Sequence, residues 1–453
     1  MRYHLFEGGL GRETGEADLG KSTVKGKTST MVKTAAIFVV AFAAAILALP
    51  IVHTPRSASA STPTFSADVA PILFKNCAGC HRPGEIAPMS LLTYKEARPW
   101  AQSIRQEVAS GQMPPWHATQ PRGTFANDRR LTDQERETLI RWVDAGAPEG
   151  NPKDLPTQPE FAEGWQIGKP DLVLTMAKEF EVPASGEIAY QNINVPTNFT
   201  EDKWVQAIEV RPGTRAAVHH ILVFCREPGT QLAPMPYRMV VPKMDHEWKR
   251  WDRLIATTAP GTNAMILPPG QALLIRAGAV LRFQIHYTAN GTAATDRSSV
   301  GIIFAKKPPV QEIRTSAFAN PTFLIGPGDP NHEVDSAIEF TEDTHILGLI
   351  PHTHLRGKSW EYRMVYPDGH SEPILSVPHY DFGWQTYYVF AKPLAAPKGA
   401  RLEAVAHYDN STANKSNPNP NAAVRWGDQT WDEMQYTGIT YSIDNQSVDK
   451  PQP

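Results

Sequence analysis

The hydrophobic periodicity of the chain changes once, and that change sets what it can fold into. Between residues 65 and 150 apolar residues recur at helical spacing, as in Leu91-Leu92-Thr93-Tyr94-Lys95-Glu96-Ala97 and again over residues 133–143. Thr132, with Glu135 three residues later, predicts a capping box at the start of the second helix, and Gly146 predicts its stop. From Lys169 onward the apolar residues come in short alternating runs, such as 204–210 and 281–287, separated by Pro, Gly and Asn. The 40 prolines suit frequent turns and strand ends better than long helices. The expected fold is therefore multidomain, with a small all-α domain over residues 61–150 and a Pro-rich, acidic linker over 151–168. Two all-β antiparallel sandwich domains of jelly-roll type follow at 169–306 and 307–448, then a tail at 449–453. The β region is divided because it is too long for one ordinary sandwich and because Lys306-Lys307-Pro308-Pro309-Val310-Gln311 interrupts its pattern.

A formal charge of −3 lacks the basic surplus that a nucleic-acid partner requires. Residues 34–52 are a continuous apolar run, preceded by Lys33 and followed by Ala58-Ser59-Ala60. This reads as a signal peptide cleaved after Ala60, or as an uncleaved membrane anchor, since the run is long enough to span. Either way the remainder is expected to be exported, periplasmic or secreted. Met31-Val32-Lys33 makes a better signal start than Met1, so residues 1–30 read as an over-long beginning. Three cysteines exclude a disulfide framework, and the isolated Cys225 reads as a small buried hydrophobe.

The other two cysteines form Cys77-Ala78-Gly79-Cys80-His81, the C-x-x-C-H signature of c-type haem attachment. In such a site the two thiols bond the haem and the imidazole of His81 becomes an axial ligand. The sixth ligand is expected from the same segment. Met113, in Gln112-Met113-Pro114-Pro115-Trp116, resembles the ligand loop of small bacterial cytochromes c, and Met89 and His117 are the alternatives. The resemblance to cytochrome c covers residues 65–150.

Beyond the linker the histidines cluster in short motifs. His219 and His220 are adjacent, His286 lies in Gln284-Ile285-His286-Tyr287, His352 and His354 lie in Pro351-His352-Thr353-His354-Leu355-Arg356-Gly357, and Met434 lies in Asp432-Glu433-Met434. On an extended strand His352 and His354 share a face and can chelate one metal. His219 and His220 point to opposite faces of a regular strand, so they can share an ion only at a strand end, at a bulge or through different ring nitrogens. Imidazoles suit copper and zinc alike, and a thioether selects copper. His246, His332, His345, His370, His379 and His407 read as surface or structural.

The order of these motifs resembles the copper type II, ascorbate-dependent monooxygenases, the family of peptidylglycine α-hydroxylating monooxygenase and dopamine β-monooxygenase. The resemblance covers residues 169–447. It implies two β-sandwiches facing across a wet cleft, with an electron-supplying copper on His219, His220 and His286 and an oxygen-binding copper on His352, His354 and Met434. It further implies hydroxylation of a C–H bond of a small organic substrate by O2. Ascorbate or another external donor, or the haem domain, would provide the electrons. Three positions depart from the peptide-amidating members. Ile350 stands where they carry a carboxylate-binding arginine, and Tyr436 and Gly438 stand where they use asparagine and tyrosine on substrate. Peptide amidation is therefore not expected, and a non-catalytic copper and haem protein or an electron-transfer cytochrome with an unrelated β region remains an alternative.

Overall fold

The computed structural model describes residues 61–445 apart from 86, 162–163, 231–242, 245–251, 261 and 263. The apolar run 34–52, the cleavage point at Ala60, the early start, the tail and His246 lie outside the described residues.

The helical segment is built from Ala70–Asn76, Tyr94–Ala97, Ala101–Ser110 and Asp133–Asp144. The last begins on the expected capping box, with Glu135 N donating to Thr132 Oγ1 at 3.1 Å and Thr132 N to Glu135 Oε2 at 2.8 Å. It ends just before Gly146, whose φ of 88° lies in the left-handed region that glycine adopts without a Cβ clash. Phe65, Leu73, Leu139 and Trp142 close its core, and the buried Trp142 indole donates to the Pro148 carbonyl at 2.9 Å. The following linker is tethered: Arg82 lies over the Phe161 ring at 4.1 Å, and Ile167 N donates to Glu209 at 3.1 Å.

The β region contains two cores. The first lies between the four-stranded sheet Gln191–Pro196, Val280–Tyr287, Val218–Arg226, Arg253–Thr258 and one half of a nine-stranded sheet. The second lies between a five-stranded sheet and the other half of that same nine-stranded sheet. Alternation explains which residues enter: Trp360, Tyr362 and Met364 point inward from Gly357–Val365, and Leu402, Ala404, Ala406 and Tyr408 from Arg401–Tyr408. The two halves join where Gln311–Ala319 pairs in parallel with Gln271–Ile275 over only three positions, Gln311↔Gln271 to Ile313↔Leu273. The sandwiches thus share a sheet, a continuity that the Lys-Lys-Pro-Pro interruption does not reveal.

A second unexpected link comes from the helical segment. After Met113 the chain leaves the helices and packs Trp116, Ala118 and Phe125 into the second β core, against Tyr388 and Phe390. Backbone bonds run from Thr119 N to Ser376 O (3.0 Å), Ala126 N to Val389 O (2.8 Å) and Ala391 N to Thr124 O (2.9 Å). Asn127 adds a pair of side-chain bonds, to Tyr387 O at 2.6 Å and from Val389 N at 3.1 Å.

Candidate metal centre

The adjacent histidines are reconciled with strand geometry by a bulge. Val218–Arg226 pairs with Val280–Tyr287 so that His220 opposes His286, but the next pair is Val218↔Tyr287, which leaves His219 as the extra residue. A bulge kinks the strand and re-aims a side chain. Here it brings one ligand atom from each of His219, His220 and His286 within 4.8 Å of one another. The Nδ1 atoms of His219 and His220 are 3.1 Å apart, a separation open to two ligands of one ion with bonds of about 2.0 Å.

His352 ends the strand Thr344–His352, and His354 follows with its ring centroid 5.2 Å from that of His352. Each has its Nδ1 engaged, His352 with Gln385 Oε1 at 2.9 Å and His354 with the Asp432 carbonyl at 3.2 Å. Both Nε2 atoms are thereby left as the lone-pair side, as in metal sites whose other ring nitrogen is fixed by an outer partner. The neighbouring residues tie the two motifs together. Glu433 Oε2 accepts from the backbone of both His354 (2.8 Å) and Met434 (3.2 Å), and Oε1 accepts from Arg356 N at 2.7 Å. Met434 and the H-x-H turn are thus held on one carboxylate. Burial pushes that carboxyl up to about 7, against the backbone donors and the charge of Arg356. The Arg356 guanidinium, 1% exposed, reaches Asn410 Oδ1 at 2.8 Å and Trp431 O at 3.0 Å. Gly357 is obligatory beside it, because a Cβ there would lie 1.8 Å from Thr353 Oγ1.

The two triads lie close together. The Phe382 ring centroid is 5.6, 6.2, 6.2, 6.5 and 5.9 Å from those of His219, His220, His286, His352 and His354. Gln385 touches both sides, with Nε2 3.4 Å from His220 Nδ1. Tyr190 packs on His286 at 4.8 Å and His354 at 6.3 Å. Phe382, Gln385 and Tyr190 thus touch histidines of both groups. Met434, His220, His352 and His354 line one cavity of about 420 Å³.

Burial dominates the electrostatics. It lowers His219 to about 4, His286 to about 3 and His352 to about 4, and takes His220 and His354 well below the usual range, with neighbouring imidazoles adding to the effect on the last two. All five are neutral at pH 7, the form that binds metal. His220 Nε2, His286 Nδ1 and His354 Nε2 are buried without a hydrogen-bond partner, each at a cost of about 1–3 kcal/mol unless something else engages it. The donor set of five neutral imidazoles and one thioether fits copper.

The haem motif follows the helix Ala70–Asn76, with Cys80 N and His81 N donating to Cys77 O at 3.1 and 2.9 Å. Both thiols are free, and burial pushes that of Cys77 up to about 12, with Cys80 and Glu135 contributing. Burial lowers His81 against the opposing Met89 carbonyl, and its Nδ1 is a buried atom with no partner at good geometry. Free thiols beside a neutral imidazole fit covalent haem. Met113 is half-buried just after the Gly111 cap of Ala101–Ser110, and Met89 packs at the edge of the helical core. His117 lies on the second sandwich's side, where Asp381 and His379 oppose each other in acting on it while burial lowers it. The motif also borders the first sandwich: Arg82 and Glu85 share a crevice with Arg211 and Arg215, four residues before His219.

Residues 67–146 match the cytochrome c family. This segment is a cytochrome c domain. No curated protein matches the chain. Among solved structures, the major capsid protein P2 of bacteriophage PM2 is 11% identical, covering 60% of this chain and 97% of that one at a TM-score of 0.25. Allantoicase is 9% identical, covering 51% and 81% at 0.14. Neither likeness carries an argument. The cytochrome c domain implies covalently bound haem c at Cys77 and Cys80 and electron transfer through it.

Among the described residues, His332 pairs with Asp329 at 3.1 Å, His345 with Asp444 at 2.7 Å and His407 with Glu333 at 3.3 Å, and His370 stacks on Tyr366. Cys225 is buried, and its thiol is pushed up to about 11 by that burial, an inert setting. Tyr190, Phe382, Gln385 and Glu433 escaped sequence reasoning. Only Glu433, inside the Asp-Glu-Met motif, carried a signal.

Proposed function

We propose that the chain is an exported copper-dependent monooxygenase whose cytochrome c domain feeds electrons to the metal centre. The observation that supports this reading is the meeting of five neutral imidazoles around Phe382, three of them buried and two half-buried, and three with unpartnered nitrogens, beside a cavity that Met434 also lines. His219, His220 and His286 would hold one copper, and His352, His354 and Met434 the other. Bound copper supplies one-electron chemistry and O2 activation, for the balance R–H + O2 + 2 e⁻ + 2 H⁺ → R–OH + H2O.

The chain's own residues do the positioning. Gln385 and the Asp432 carbonyl accept from His352 and His354 Nδ1 and so direct both Nε2 atoms inward. Phe382 and Tyr190 exclude water between the triads, which strengthens every electrostatic interaction there. Ascorbate or another external donor would reduce the haem, and the apolar run 34–52 would carry the protein to the periplasm. Metal analysis and spectra of the exported protein test the reading: two coppers and one haem are expected per chain, with O2 uptake matched by a hydroxylated product. A chain that takes up haem but holds no copper after dialysis sinks it.

A further inference from the structure

Two of the three departures from the peptide-amidating pattern meet in space. Ile350 on Thr344–His352 is the register partner of Gly438 on Tyr436–Ile443. A Cβ on Gly438 would fall 2.4 Å from Ile350 Cγ2 and 3.8 Å from Leu254 Cδ2, so the missing side chain at 438 is what seats Ile350. Behind that seat lies a second cavity of about 440 Å³, lined among the described residues by Met265, Leu267, Leu347, Val389 and Ile439. Both cavities have Leu254, Ser316 and Ile350 in their linings. Ile350 and Leu254, with Ser316, therefore form a thin, mainly apolar partition between the cavity at His352, His354 and Met434 and a second, mostly apolar space of similar size.

The charged end of the first cavity is largely self-paired. Arg226 grips Asp252 with Nε and Nη2, both at 2.9 Å, while Arg282 bonds the same carboxylate at 2.9 Å and Asn192 at 2.6 Å. The Arg282 guanidinium lies over the Phe224 ring at 4.4 Å. Arg253 is likewise paired, with Glu227 at 2.6 Å; the rest of the wall is mostly apolar, with Leu222, Phe318, Trp426 and Tyr436 beside Gln284 and Asp428, whose negative charge disfavours an anionic ligand.

We infer that the substrate is an uncharged, elongated apolar molecule, and that Ile350, seated on Gly438 and flanked by Leu254, sets the length accepted. The inference rests on the monooxygenase reading only for what becomes of the bound molecule. In a cavity of this kind each added methylene tightens binding about three- to fourfold until the chain meets the partition.

Calorimetric titration of the full metal- and haem-loaded protein with n-alkanols from butanol to decanol, and with the matching alkanoates, tests this. The expected result is a rise in affinity with chain length to a plateau, with alkanoates no tighter than alkanols. Ile350→Ala should move the plateau to longer chains by roughly the two to three carbons that truncation vacates. Leu254→Ala opens the same partition from the other strand and should act in the same direction, which guards against misfolding of one variant. Gly438→Ala, by pushing Ile350 forward, should shorten the plateau. Alkanoates binding tenfold tighter than alkanols, or plateaus in both truncation variants unchanged from the parent's, would overturn the inference. Copper analysis of the same samples keeps the two readings apart, because a copper-free protein with the expected length profile refutes the oxygenase and leaves the cavity assignment standing.

Discussion

Gln385→Leu isolates the outer support of one half of the metal centre. Gln385 is 1% exposed and its Oε1 accepts from His352 Nδ1 at 2.9 Å, whereas its Nε2 contact with His220 Nδ1 is a longer 3.4 Å. Leucine fills a similar volume but accepts nothing. In the metal-free protein the imidazole can then move its proton to Nε2, the atom that ligation needs, so the penalty falls on the metal-bound state. An orphaned buried N–H costs about 1–3 kcal/mol, and losing such an outer partner typically weakens metal binding 10–100-fold, which at about 1.4 kcal/mol per decade is the same range. The assay is titration of the metal-free protein with Cu(I) against a chelator of known affinity, with X-ray absorption separating the sulfur-bound site of Met434 from the nitrogen-only site. The sulfur-bound site should weaken 10–100-fold while the other changes little. Equal affinities in variant and parent, or a loss confined to the nitrogen-only site, would refute the reasoning.

Three further outcomes are expected. His219, His286 and His352 have folded-state values near 4, 3 and 4 against about 6.5 unfolded, so the unfolded chain takes up protons that the folded one refuses. The metal-free protein should therefore lose stability as pH falls from about 6.5 towards 4; denaturant titration at pH 7 and pH 5 checks this, and equal midpoints would contradict it. Met113→Ala should lower the haem reduction potential and remove the thioether-ligated spectrum, whereas Met89→Ala should leave both unchanged; the reverse outcome would transfer the ligand role to Met89. Glu433→Ala strands the buried backbone N–H groups of His354 and Arg356, and should cost about 1–3 kcal/mol for each in denaturant unfolding.

Sequence logic reached the chemistry where the signal is local. The haem motif, the Thr132 capping box and the shared face of His352 and His354 all depend on residues within a few positions of one another. A link between Met434 and that pair was implied by family order alone; the structure ties their backbones to the one Glu433 carboxylate and lines one cavity with all three. The convergence of His219 and His220 required a bulge, whose existence is fixed by the partner strand and not by the residues themselves. Phe382 and Gln385 sit in a loop with no periodicity or motif, and they matter only because folding brings that loop between strands from both sandwiches. The common sheet was hidden for a similar reason, since three parallel residue pairs leave no trace in an alternating pattern.

The strap that follows Met113 makes the cytochrome c domain a poor candidate for a swinging carrier. Trp116 and Phe125 belong to the interior of the second sandwich, and aromatic side chains of this kind bury about 150–250 Å² each. A chain severed at the linker would therefore bare Tyr388 and Phe390 and lose the backbone bonds at Val389 and Ala391. The cytochrome c domain and the second sandwich share one core, and neither should be obtainable as an intact fragment without the other.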